Sequence, residues 1–293
     1  MIADAENKNW LYWVKIGFGF ATILSIAFIL YKFYQNWPSM TSWRPSVLNI
    51  VLLLLFSFIY AASLFLLASI WVRMLDFIAP NRVPKSVAVD VYARSQVAKY
   101  IPGNIFQFVG RHFYLAEFDV KQADVARASL LEIAIMIASA LSVALVFGML
   151  AEFSDIWGFS KIVVVASMTL AFVCLLAIIA RSMPSQSGAV AKGAAALMLG
   201  IGFFLVQTTL YAVIGLQLGW ELSPLIIFAA AISWIVGYVT PGAPGGVGVR
   251  ELFLFILLQD HFAQQDILLT LALFRVVTLF GDVTFYFWGK SKF

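Results

Sequence analysis

Residues 223–260 read SPLIIFAAAISWIVGYVTPGAPGGVGVRELFLFILLQD. Two apolar stretches flank a Pro/Gly-rich break, PGAPGGVG, at residues 241–248. A second apolar region, 86–118, breaks at Pro102-Gly103. Each arm around that break has about 15 residues, or roughly 22 Å as helix. A hydrocarbon core is about 30 Å thick, so such an arm does not cross it. A re-entrant hairpin, entering and leaving on one side, is the expectation for both broken regions. Irregular backbone at that depth is tolerated only where protein buries it or where it lines a polar cavity.

Composition sets the surroundings. Of 293 residues, 62% are apolar and 12% charged, with mean hydropathy +0.94. A soluble domain averages about 25% charged residues. The chain therefore lacks the polar atoms to cover a soluble surface. That excludes a soluble enzyme, a nucleic-acid-binding protein and a disordered tail, and leaves a polytopic all-α membrane protein with one integral domain over 1–293. The formal charge of +4 then reports orientation rather than affinity for nucleic acid. Cys174 is the sole cysteine, which excludes an internal disulfide or a cysteine metal cluster. In its apolar run it is expected to be an inert packing residue.

Six unbroken runs have the roughly 20 apolar residues of a spanning helix. They are 14–34, 47–70, 126–150, 160–180, 194–219 and 267–288. The first lacks a cleavage site, and Trp10, Trp13, Tyr34 and Trp37 flank it as interface anchors would. With a cytoplasmic N terminus and two re-entrant hairpins, eleven Lys/Arg fall on the cytoplasmic side: Lys8, Lys15, Arg73, Arg82, Lys85, Lys121, Arg127, Arg181, Lys192, Lys290 and Lys292. The other side holds only Lys32, Arg44 and Lys161. The positive-inside rule thus predicts both termini in the cytoplasm; the expected location is the inner membrane of a prokaryote. Ser223 is expected to cap a helix with Pro224 at its first position, and Asp124 and Asp266 to cap the third and last spans.

The halves resemble each other. Arg111 follows Pro102 by nine residues, and Arg250 follows Pro241 by nine. Tyr100 and Tyr238 precede the breaks. Each half reads span, span, hairpin, span, so repeat 1 (10–150) and repeat 2 (158–290) run in opposite directions. Three spans per half give a 3+3 inverted-topology repeat, an architecture many secondary transporters use, with the site between the repeats.

The breaks suit an anion. A helix beginning after a break aims free N–H groups into the protein, and glycine lets a ligand reach the backbone. Gly103 belongs to the first break, and Gly242, Gly245, Gly246 and Gly248 to the second. Together with Arg111, Arg250 and Arg275 they are candidates for binding phosphate. An ordinary Gly/Pro loop and interfacial arginines are the alternatives. Where each arm turns helical decides whether its arginine lies beside the break or near a mouth. Glu132, Arg275 and Asp282 lie in spanning runs; with Glu251 the acids are candidates for charge balance or proton coupling. Structural ion pairs are the alternative. Asp90 and Arg94 are spaced for an i,i+4 pair. His112 and His261 have no metal-ligand companions, and no nucleophile–base set is visible, so neither enzyme activity, cofactor nor metal is expected.

Four segments carry a family resemblance. Ser95–Arg111, SQVAKYIPGNIFQFVGR, and Thr240–Glu251, TPGAPGGVGVRE, resemble signatures of the flippase-like family named after the lysylphosphatidylglycerol synthase transmembrane region. ASLLEIAIM around Glu132 and LALFRVVTLFGD around Arg275 are similar to further family positions. The resemblance covers residues 10–290 and implies movement of a lipid headgroup between leaflets. Some members also carry a C-terminal aminoacyltransferase domain; this chain looks like a stand-alone member without it. Asn104-Ile105 departs from the aromatic or basic residue common after the first Pro-Gly.

The expected function is therefore a flippase for an anionic or phosphate-containing lipid, either a phospholipid or a polyprenyl-phosphate-linked sugar. A transporter of a soluble anion, or a scaffold or transferase in lipid-linked glycan or envelope assembly, stays open. The implied partners are the lipid itself and lipid-modifying or glycosyltransferase enzymes, without nucleic acid; an oligomer is compatible.

Overall fold

The computed structural model describes residues 23–100, 106–152, 155–156, 159–183, 188–240 and 243–291. Among them are ten α-helices. Residues 23–41 form α1. There follow α2 (Val47–Ile78), α3 (Lys85–Gln96), α4 (Phe106–Tyr114), α5 (Gln122–Leu150), α6 (Lys161–Ser182), α7 (Ala189–Leu216), α8 (Pro224–Val239), α9 (Val249–Leu258) and α10 (Gln264–Ser291). A two-residue antiparallel pair, Asp155–Ile156 with Phe159–Ser160, precedes α6.

Five helices, α2, α5, α6, α7 and α10, are long and apolar enough to cross a membrane. They contain the expected runs from 47–70 onward, apart from residues 160 and 217–219 at the ends of two runs. The run 14–34 lies partly outside the described residues; its described part is helical and continues to residue 41. At 16 residues α8 reaches about 24 Å, short of a hydrocarbon core of about 30 Å. The order is long α2, short α3 and α4, long α5 and α6, then long α7, short α8 and α9, long α10.

Local chemistry sets most boundaries. Ser46 caps α2, with its Oγ accepting the Asn49 N–H at 3.2 Å while Asn49 Oδ1 accepts the Ser46 N–H at 2.8 Å. Ser223 Oγ accepts the Leu225 N–H at 3.2 Å, with Pro224 opening α8. Asp124 and Asp266 do not cap: α5 starts at Gln122 after Lys121, and α10 at Gln264. Both acids instead sit in the first turn, where they favour the positive end of the helix dipole.

Helix α8 is apolar along its length and packed against α5, α7 and α9. Close approach relies on small residues. A Cβ on Gly148 of α5 would fall 2.9 Å from the Phe228 ring of α8, and one on Gly281 of α10 would fall 2.9 Å from the Ser57 carbonyl of α2. Without a hydrophobic drive inside lipid, such contacts supply helix association. The outermost span is α6, where Ile179 alone is buried. Cys174 is exposed on it, so within this chain it is no packing residue. A helix at the periphery leaves an apolar residue facing outward, a position that hydropathy alone does not reveal.

Candidate functional site

The described residues next to the two breaks come together. The 3-10 turn Val97–Tyr100, which follows α3, packs against the turn Pro244–Gly246 between α8 and α9. A Cβ on Gly245 would lie 3.9 Å from both the Lys99 carbonyl and the Tyr100 ring. Beside this junction is a cavity of about 80 Å³ lined from both halves of the chain. Arg111, Glu132, Arg250 and Arg275 line it, as do Gly245 and Gly246. Gly103 and Gly242 lie outside the described residues.

The arms begin differently. Arg250 is the second residue of α9, directly beside the Gly-rich turn. Arg111 is the sixth residue of α4, yet it is 1% exposed and lines the same cavity rather than reaching outward. Both are buried within the protein. Gly248 serves packing: with φ +85, its Cβ would meet Ile26 of α1, whose N lies 3.1 Å away.

Three charge clusters surround the cavity. In the first, Arg111 forms a two-point pair with Glu132, with Nη1 on Oε2 and Nη2 3.3 Å from Oε1. Tyr92 donates its hydroxyl to Glu132 Oε1 at 2.7 Å, and Arg111 Nε donates to Ser95 Oγ at 3.4 Å. The guanidinium also stacks among Tyr92, Trp71 and Phe108, with ring centroids 4.3, 4.9 and 5.2 Å away. In the second cluster Arg275 pairs with Glu251, whose other oxygen accepts the Gly248 N–H at 2.7 Å and so closes the start of α9. In the third, Asp282 of α10 accepts from Lys99 Nζ at 2.8 Å and from the Tyr100 hydroxyl. Asp90 and Arg94 form their i,i+4 pair at 2.7 Å, away from the cavity lining.

Arg250 stands apart. It is 8% exposed, and its Nη2 is buried without a hydrogen-bond partner. It forms no ion pair among the described residues. Its guanidinium carbon lies 5.2 Å from the Phe274 ring centroid. Arg275 Nη2 also lacks an aligned hydrogen bond, but it touches Glu251 and is charge-paired. Among the described residues around the cavity, Lys99, Arg111, Arg250 and Arg275 are therefore opposed by Glu132, Glu251 and Asp282 only. One positive charge is left over, and it sits on Arg250. A buried charge without a partner is costly, so the arrangement suits an anion that supplies the missing charge.

Gln207 of α7 is a site residue that sequence reasoning missed. It is 2% exposed, lines the cavity, and its Nε2 has no partner. Its signal was a lone amide in an otherwise apolar stretch of α7. Tyr60 and Tyr92 also line the cavity. They carry no sequence signal, because a tyrosine in an apolar run reads equally as packing. No family model matches this sequence, and no curated protein does either.

Proposed function

We propose that this chain moves an anionic, phosphate-bearing lipid headgroup between leaflets by alternating access. The observation that carries the reading is Arg250, a buried cation with an unpartnered Nη2 and no ion pair among the described residues, in a cavity it shares with Lys99, Tyr100, Gly245 and Gly246. In this reading residues 14–34 complete six spans, and α3–α4 and α8–α9 are re-entrant hairpins of an inverted repeat. The family resemblance of both break sequences supports the same function.

Phosphate oxygens accept from Arg250 Nη2 and Gln207 Nε2, beside Gly245 and Gly246. Arg111 and Arg275 add positive potential while Glu132 and Glu251 hold them in place; Asp282 does the same for Lys99. These acids keep the empty site near neutrality and are the groups available for a coupling proton. Tails stay in the bilayer, and rocking of one repeat against the other exposes the site alternately. Reconstitution with labelled anionic phospholipid tests this. Arg250→Ala is expected to slow leaflet exchange at least about 10-fold, the factor that 1.4 kcal/mol of lost binding gives. Exchange at the wild-type rate overturns the role of Arg250.

The cavity size favours a second reading. About 80 Å³ holds a small anion and a few waters rather than a glycan. A carrier of free phosphate uses the same Arg250 site. Arg250-dependent uptake of radiolabelled inorganic phosphate into vesicles, without lipid exchange, selects that carrier.

A further inference from the structure

Two further cavities, one of them also bordered by α3, lie along α2 and α7. These helices run antiparallel. Phe77 of α2 faces Lys192, Ile70 faces Gly200 and Leu66 faces Gly202. At one end a cavity of about 400 Å³ is bordered by Arg73, Lys85, Lys192 and Asp76. Deeper along the same helix pair, a second groove of about 330 Å³ is bordered by Leu66, Leu199, Gly202 and again Arg73. None of these residues lines the central cavity.

The mouth is basic and under-compensated. Three cations face one carboxylate. Lys85 lies 3.8 Å from Asp76 in a loose, exposed pair, which contributes little. Lys192 Nζ sits 4.1 Å from the Phe77 ring centroid, anchored by the aromatic face rather than by an acid. Arg73 is exposed and forms no ion pair among the described residues. The walls of the deeper groove are apolar apart from Arg73, and a Cβ on Gly202 would only reach ordinary contact, 3.7 Å, with Leu66.

Length fixes the ligand class. From Lys192 to Gly202 is ten residues, about 15 Å along the helix, which is half of a hydrocarbon core of about 30 Å. With α2 and α7 spanning a bilayer, the two cavities, joined at Arg73, would together cover the depth of one leaflet. We infer that they hold an anionic phospholipid, with the phosphate on Arg73, Lys85 and Lys192 and an acyl chain along Leu66, Leu199 and Gly202. In the topology proposed above this is the cytoplasmic leaflet, whose anionic lipids attract basic residues.

Native mass spectrometry of the purified chain, titrated with dioleoyl phosphatidylglycerol or phosphatidylcholine, tests the assignment. The wild type is expected to retain phosphatidylglycerol in preference. Arg73→Gln with Lys192→Gln should weaken phosphatidylglycerol about 25-fold, at about five-fold for each basic residue, and erase the preference. Gly202→Leu fills the groove and should weaken both lipids, with the thermal unfolding midpoint of the purified variant reporting that it folds. Arg250→Ala should remove only lipid held at the central cavity, and the further loss caused by Arg73→Gln with Lys192→Gln should be the same in that background, which separates the two sites. Phosphatidylglycerol binding within two-fold of wild type in the double variant overturns the inference. So does full binding by Gly202→Leu, which would mark diffuse surface attraction. Displacement by equimolar glycerol phosphate overturns it as well, since the site would then need no chain.

Discussion

Glu251 adjoins Arg250 in the chain but pairs with Arg275, across on α10. The first half does the opposite: Arg111 on the short α4 pairs with Glu132 on the long α5. The acid and the base have exchanged helices between the halves. Because Arg275 occupies Glu251, Arg250 is left with the excess positive charge. In the proposed function, that excess charge is what an arriving anion would meet.

An unpaired buried cation opposes stability. Arg250→Met should therefore raise the midpoint of thermal unfolding while abolishing Arg250-dependent transport. Relief of an unsatisfied buried charged group is worth about 1–3 kcal/mol or more. Thermal unfolding in detergent beside an exchange assay measures both. A variant that is both less stable and inactive would mean that Arg250 holds the fold together instead.

The Arg111–Glu132 pair behaves in the reverse manner. Arg111→Met alone leaves Glu132 buried and uncompensated, and should cost about 3–5 kcal/mol. Adding Glu132→Gln should recover most of that loss, since the amide oxygen still accepts the Tyr92 hydroxyl. Denaturation of the two single variants and the double variant closes the cycle. Additive losses would show that the two side chains are not energetically coupled.

Glu251→Gln keeps an acceptor for the Gly248 N–H, so the start of α9 should survive. It frees the charge of Arg275 beside that of Arg250. Inorganic phosphate should then bind about five- to ten-fold more tightly, the effect of roughly 1–1.4 kcal/mol, and leaflet exchange should slow as release becomes harder. Calorimetric titration with phosphate reads the first effect. Unchanged affinity would show that the cavity does not sense its net charge.

Gly246 has φ +74, and its Cβ would lie 3.2 Å from the Gly237 backbone. Gly246→Ala therefore forces a left-handed alanine, at about 1–2 kcal/mol, and pushes the turn off α8. The expected outcome is a lower unfolding midpoint and weaker phosphate binding. Gly219→Ala is a control of the same kind in φ (+90) but with nothing within 4 Å, and should show the conformational cost alone.

Much of the architecture was legible in the chain. Length and apolarity are local properties, so five spanning-length helices could be read directly, and the breaks followed from proline and glycine. Ser223-Pro224 marked a helix start because a cap uses neighbours within three residues. Asp124 and Asp266 misled for a related reason: an acid near a helix start can sit at the cap or in the first turn, and the spacing does not choose. Cys174 misled because hydropathy does not distinguish an inward from an outward face on a uniformly apolar helix.

The charged residues divide the same way. Their scarcity in apolar sequence was enough to single out Arg111, Arg250, Arg275, Glu132, Glu251 and Asp282. Which acid answers which base depended on packing between segments far apart, as in the contact of Lys99 with Asp282, 183 residues away. Gln207 is polar but uncharged and emerged only once α7 was placed against the breaks. Sequence alone determined which groups are costly to bury, since that is a property of each side chain. Tertiary structure alone decided which of them stays unpaired, because ionic pairing falls off within a few ångströms and only the packed helices set those distances.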